Sequence, residues 1–281
     1  MATKGFSVFI AADIEGTTGY VNWPDQPPEA PRAQEQMTAE VNAAIEGARE
    51  GGAHEIIVSD IHWTKQNINA GALSGGASLI RGSRRKRLWM DFVERCDLVL
   101  LIGFHSRFGM ADAVLPHTMD PRILKLKING QDAGEALISA LTAGCFGVPV
   151  GMAAGDRAFI EESKTFLPLI ETVAVKEARG NFAALNLHPA RSAELIRAAA
   201  RAAVEKGLQG VFKPLRFKEP VRLDLELIWP GYADALNLVP GVQRRGGREI
   251  SFTGGWLEAL ELISLFVNWI RVVPGIFDKF K

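Results

Sequence analysis

The chain has little of several things, and each scarcity narrows its function. Of 281 residues only Cys96 and Cys145 are cysteines, with no framework spacing, which fits small core thiols in a reducing compartment rather than a disulfide scaffold. There is no excess charge: 32 basic and 32 acidic residues cancel, so no overall field favours nucleic acid or an anionic membrane as a partner. No apolar run reaches a membrane-spanning length. Leu257 to Val273 is the richest, but Glu258, Glu261, Asn268 and Arg271 interrupt it, and it reads as a buried amphipathic helix. The opening residues run into a short apolar stretch that stops at Asp13, with neither signal-peptide core nor cleavage site, so a cytoplasmic location is expected. Nucleotide loops are missing as well. Gly71 to Gly76 lacks the Lys-Ser/Thr of a phosphate loop, Gly246-Gly247 sits among arginines, and no GxGxxG follows the first strand. The basic run Ser83 to Arg87 is expected to be a solvated loop or a subunit contact.

What is present is a repeated exchange of apolar runs and helical patterns. Ser7 to Ala12, a helix over Thr38 to Glu50, and Glu55 to Ser59 after Gly51-Gly52 make a βαβ opening. Leu98 to Ile102 is continuously apolar, as a parallel strand covered on both faces requires. Ile123 to Ile128 alternates and ends at the turn signal Asn129-Gly130, before a helix over Glu135 to Ala143. Further strands are expected at Val148 to Ala153 and Thr172 to Lys176, with helices over Ala158 to Phe166 and Pro189 to Lys206. Beyond the Gly- and Pro-bearing stretch 207 to 220, Val221 to Ile228 and Arg248 to Thr253 read as strands before the last helix. The fold class is therefore α/β, a mostly parallel sheet flanked by helices. Residues 1–206 would form the main α/β domain and residues 207–281 a smaller α+β C-terminal portion, with packing of the two as one unit the alternative.

Chemistry-bearing residues gather at the expected carboxyl ends of the strands, where open α/β sheets place their ligands. Asp13 and Glu15 stand two apart after the first strand, with no Lys or Arg between Lys4 and Arg32 to pair them. Two carboxylates so close repel each other unless one is protonated, a base pairs them or a cation lies between them. A helix cap at Asp13 and a solvated Glu15 are the plain alternative. His62 follows the second strand and His105 the strand at Leu98 to Gly103, so two strands each deliver an imidazole to one edge. Of the five histidines, His54 and His188 are expected on the surface and His117 lies in the loop after His105. Glu135 opens a helix, where a carboxylate also suits the helix dipole. Two imidazoles and three carboxylates suit a pair of borderline divalent ions, Zn²⁺ with Mn²⁺ or Co²⁺ as alternatives, better than Ca²⁺ or Mg²⁺. Such ions activate water for hydrolysis, and His117 could hydrogen-bond the substrate or move a proton.

The segments Asp13-Ile-Glu15-Gly-Thr-Thr-Gly19, Ser59-Asp-Ile-His62, Gly103-Phe-His105-Ser-Arg107, Pro116-His117-Thr-Met119 and Gly134-Glu135, in that order, resemble the DppA-type D-aminopeptidase family of zinc peptidases. Val150 to Asp156 and Leu238-Val-Pro-Gly241 extend the likeness over most of the chain. The resemblance implies a binuclear zinc site in which Asp13 bridges, Glu15 and His62 complete one ion, and His105 and Glu135 complete the other. It also implies that His117 is the catalytic residue and that the chain forms a ring-like homo-oligomer, commonly a decamer. The expected activity is hydrolysis of the N-terminal amide of small peptides. Asp156-Arg157 and Ala136-Leu-Ile-Ser139 depart from the family pattern and leave preference for D- or L-residues open. An amidase or phosphoesterase, with Arg107 or Arg157 holding phosphate, and a non-catalytic ring-forming binding protein are the competing readings.

Overall fold

A computed structural model describes residues 5–23 and 29–272; Met1 to Lys4 and Val273, which the sequence reading also touched, lie outside them. In chain order the elements are β1 (Ser7–Ala12), α1 (Glu29–Glu50), β2 (Glu55–Asp60), β3 (Ala77–Ile80), β4 (Leu98–Phe104), β5 (Ile123–Ile128), β6 (Gln131–Asp132), α2 (Glu135–Cys145), β7 (Val150–Asp156), α3 (Arg157–Phe166), β8 (Glu171–Gly180), β9 (Ala183–Asn186), α4 (Pro189–Leu208), β10 (Val221–Leu227), α5 (Pro230–Leu236), β11 (Gln243–Arg244), β12 (Glu249–Gly254) and α6 (Trp256–Val272).

Seven strands form one sheet in the order β3-β2-β1-β4-β7-β8-β9, parallel throughout except for the antiparallel edge pair β8–β9. Its central strands β1, β4 and β7 are buried along their whole length. Apolar side chains on both faces account for this. Val8 and Ile10 of β1, with Leu98 and Leu100 of β4, meet α1 and α4 through Met37, Ile45, Ile196 and Val204. Phe9 and Ala11, with Val99 and Leu101, join a second core with Leu137 and Leu141 of α2. Neighbouring residues thus serve opposite cores, as strand alternation dictates.

That second core continues into a sheet of order β11-β12-β10-β5-β6, antiparallel throughout. Val221, Leu223, Leu225 and Leu227 of β10 point inward, while Arg222 is exposed and Asp224 and Glu226 are half-buried. On its two sides β10 pairs with β12 and with β5, so strands from late in the chain complete a sheet begun at Ile123.

The expected α/β architecture is present, with differences at its edges. Helix α1 begins at Glu29 rather than Thr38, because polar residues with little apolar spacing form its first turns. The edge strands β3 and β9 are additions, each four residues long and only partly buried. Cys96 is buried as expected, but Cys145 is exposed at the end of α2. His54 is exposed, and His188 caps α4 by accepting the Ala190 amide. Among the described residues no helix is long and apolar enough to cross a membrane.

Candidate metal centre

From β1 the chain steps outward to β2 and β3 and then returns to β4 on the other side of β1. The strand order therefore reverses beside β1, where a crevice opens at the carboxyl ends. Ala12 stands level with Asp60 on one side and Ile102 on the other, which places the next residues of all three strands at one edge. The Asp13 amide donates to Ile102 O (2.8 Å) and that of Gly16 to Gly103 O (2.7 Å), folding the acidic turn onto β4. Contact is so close that a Cβ on Gly16 would fall 1.8 Å from Phe104 O. Glycine is required there by space, not by φ.

The six residues singled out in the sequence meet at this edge. His62 Nδ1 lies 2.8 Å from Glu15 Oε2 and 3.5 Å from Asp13 Oδ1. His105 Nε2 lies 3.5 Å from both Asp13 Oδ2 and Glu135 Oε1. His117 Nε2 lies 3.7 Å from Glu15 Oε1 and 4.0 Å from Glu135 Oε1. Asp13, Glu15, His105, His117 and Glu135 are buried, and His62 is partly exposed. Glu135 opens α2 and accepts the Met119 amide (2.7 Å), which ties the helix to the loop carrying His117.

Charge and burial pull hard on these groups. Burial, then repulsion from Glu15, raises Asp13 to about 7. Burial would also raise Glu15 and Glu135, but the histidines outweigh it, holding Glu15 well below the usual range and Glu135 at about 2. Burial alone would depress His62 and His105; the surrounding carboxylates instead lift both to about 10. His117 is lowered, first by burial and then by His105. In the absence of a metal, protons on two imidazoles neutralise the carboxylates.

The donor set fits divalent ions. His105 Nδ1 faces Ser106 O at 2.9 Å and His117 Nδ1 faces Leu115 O at 2.8 Å, so in each neutral ring the Nδ1 proton is donated to a carbonyl and the Nε2 lone pair faces the cluster. Yet His105 Nε2 is buried without a hydrogen-bond partner, an orphan that needs explaining. Two sets of three residues offer ligand atoms within 4.8 Å of one another, Asp13 with Glu15 and His105, and His105 with His117 and Glu135. His62 belongs to neither set and approaches through its carboxylate partners. His117 sits in one, a placement the sequence reading reserved for ligands.

Other residues of the site were not singled out from the sequence. Trp23 Nε1 donates to Glu15 Oε1 (3.0 Å), and Lys176 is buried under the acidic turn, donating to the carbonyls of Glu15, Thr17 and Tyr20. Burial lowers Lys176 to about 8. Ser139, one of the departures from the family pattern, accepts from Trp89 Nε1 and donates to Glu135 O (both 2.8 Å), so it braces the start of α2. Part of the basic run faces the site: Arg84 and Arg85 line the same cavity as Asp13, Glu15 and Glu135, and Arg85 is anchored on Ser59 Oγ and the carbonyls of Ile80, Asp60 and Gly82. Trp63, Lys65, Arg84, Leu88 and Met119, non-glycine residues with φ between 37° and 63°, all line that cavity. Left-handed backbone costs such residues about 1–2 kcal/mol each and gathers where function fixes the geometry. Arg107 is instead paired with Glu162 and Asp132, and Arg157 with Glu177, and neither lines the two cavities that open on the cluster.

A hydrolytic donor set at the switch point of a mostly parallel sheet defines the class, a metal-dependent hydrolase of the α/β type. The family model described as D-aminopeptidase matches residues 6–265, and the chain belongs to that family of metal-dependent aminopeptidases. It is 29% identical over 250 residues to the D-aminopeptidase of Bacillus subtilis (strain 168), covering 85% of this chain and 88% of that one. In structure it is similar to the Zn-dependent D-aminopeptidase DppA from Bacillus subtilis, a self-compartmentalizing protease, with a TM-score of 0.85 and 26% identity over 96% of this chain and 100% of the other.

Proposed function

We propose that the protein binds two divalent ions, zinc foremost and Mn²⁺ or Co²⁺ as substitutes, and with them removes the N-terminal residue of small peptides. Asp13, Glu15, His62, His105 and Glu135 would hold the ions, following the family resemblance. The observation that carries this reading is the orphaned Nε2 of His105, buried 3.5 Å from carboxylate oxygens of both Asp13 and Glu135. Bound ions supply Lewis acidity toward the scissile carbonyl and acidify a water toward neutral pH. His117 is the catalytic residue. Burial and then His105 lower its pKa, its Nδ1–H is committed to Leu115 O, and its Nε2, 3.7 Å from Glu15 Oε1 and 4.0 Å from Glu135 Oε1, would accept a proton from the attacking water and return it to the departing amine.

The substrate is a small peptide rather than a nucleic acid or a lipid surface, in keeping with the balanced charge. A homo-oligomer, a decamer by family resemblance, is supported by the self-compartmentalizing relative. A cytoplasmic location accords with two free cysteines, one of them exposed. Residues 1–206 form the catalytic portion and residues 207–281 a smaller one; the pairing of β10 with β5 across that boundary supports their packing as one unit rather than as separate domains. Metal analysis combined with a panel of D- and L-aminoacyl amides and dipeptides tests the proposal. It predicts bound transition metal and hydrolysis that a chelator abolishes and Zn²⁺, Mn²⁺ or Co²⁺ restores; metal-free protein with full activity would refute it.

A further inference from the structure

Two cavities open on the cluster and differ in character. One, about 320 Å³, has Tyr20, Trp23, Trp63, Met119 and Pro121 in its walls, and its charged lining groups are the cluster's own Glu15, His62 and His117. That size suits a small-molecule subsite. The other shares Glu15, His62, His117 and Met119, reaches Asp13 and Glu135 of the cluster, and adds Lys65, Arg84 and Arg85. Trp63 lines both and stands between an aromatic and a cationic lobe.

We propose that the aromatic lobe is the subsite for the side chain of the substrate's N-terminal residue, and that the enzyme prefers peptides beginning with a large apolar residue, aromatic above all. This inference rests on the aminopeptidase reading. Beyond the cluster that both lobes share, the charges of the second lobe are Lys65, Arg84 and Arg85, which repel an N-terminal ammonium and attract the terminal carboxylate of a small peptide, so the first residue of a bound peptide lies on the tryptophan side. Its side chain then meets apolar walls. Trp23 is held in place by its hydrogen bond to Glu15 and packs edge-on against His117, with ring centroids 5.6 Å apart at 82°. Trp63 remains 54% exposed on a backbone with φ 37°, a conformation that a bulky residue rarely adopts without a functional reason. An aromatic substrate ring entering between them gains buried area and offset or edge contacts together.

Peptides of the form X-Ala, with X as Gly, Ala, Leu or Phe in both D and L series, test this on the metal-loaded protein. The expected kcat/KM rises with the size of X, by at least about tenfold from Ala to Phe. Trp63→Ala flattens the series and Trp63→Phe restores much of it. A flat wild-type series, a preference for Gly or Ala, or a size dependence that appears only in Ala-X peptides overturns the assignment while leaving the aminopeptidase reading intact. Calorimetric binding of free phenylalanine and alanine decides the subsite independently of turnover: phenylalanine is expected to bind at least about tenfold tighter, and Trp63→Ala to remove the difference. Equal binding would overturn the proposal even if no peptide were cleaved, an outcome that would separately count against the aminopeptidase reading.

Discussion

The imidazoles of His105 and His117 lie stacked, with centroids 4.1 Å apart and planes 3° from parallel. Two cationic rings would repel in that arrangement, and the charges separate accordingly: the carboxylates raise His105 while burial and His105 lower His117. His105 must therefore release a proton before it can bind a cation, whereas His117 is held toward the neutral form and can exchange one.

Replacing each ring in turn separates those roles. His117→Ala is expected to lower kcat by roughly 100- to 10,000-fold while metal content stays near wild type. His105→Ala is expected to lose metal as well as activity. Elemental analysis beside single-turnover kinetics checks both, and loss of metal from His117→Ala would make that residue a ligand.

Metal binding is expected to release protons. In the metal-free protein His62 and His105 sit at about 10 and Asp13 at about 7, so at pH 7.5 both imidazoles must give up protons before ligating. Calorimetry in buffers of different ionisation enthalpy should find about two protons displaced when both sites fill. The sign for stability follows. Raised histidine pKa values stabilise the metal-free fold fully below the unfolded value of 6.5 and lose that effect as pH rises through 10. The gain in melting temperature on adding zinc should therefore grow from pH 6.5 toward pH 9.

Lys176 braces the acidic turn from beneath through three carbonyls, and Lys176→Met should destabilise the fold by on the order of 2 kcal/mol. Its folded pKa of about 8 lies below the ordinary lysine value of 10.5, so between those values the unfolded chain binds more protons and stability rises with pH. Denaturation midpoints from pH 7.5 to pH 10 should show wild type gaining on the Met variant across this window. Parallel pH dependences would contradict the burial of a charged amine.

Gly16→Ala puts a methyl group where Phe104 O already lies, at 1.8 Å. Backbone must move, and a loss of about 3 kcal/mol is expected, with metal affinity falling because Asp13 and Glu15 lie just before the shifted residue. Chemical denaturation together with zinc titration measures both effects.

The parts of the fold most legible in the sequence are those that one physical requirement dictates. Strands β1, β2 and β4 need apolar faces on both sides and show continuous apolar runs, and the residues just beyond them are the site's ligand candidates. Edge strands β3 and β9 need only one partner and are half exposed, so no pattern marks them. Lys176 gave no signal at all. It lies beside buried Val175, where the pairing of β7 with β8 shifts register, and the bend turns both neighbours inward. Trp23 sits in a turn without period, and only the folded chain reveals its bond to Glu15. Asp13, Glu15, His62, His105 and Glu135 are legible as candidates because each follows a recognisable strand or opens a recognisable helix. His117 shares its loop with His105, and its role rested on resemblance.

Zinc titration of chelator-treated protein, with hydrolysis of a peptide followed at each addition, measures the central claim most directly. The account predicts no activity without metal and a rise that levels off at two equivalents per chain. Full hydrolysis by the metal-free protein, or saturation with Asp13→Ala and His105→Ala indistinguishable from wild type, would contradict it.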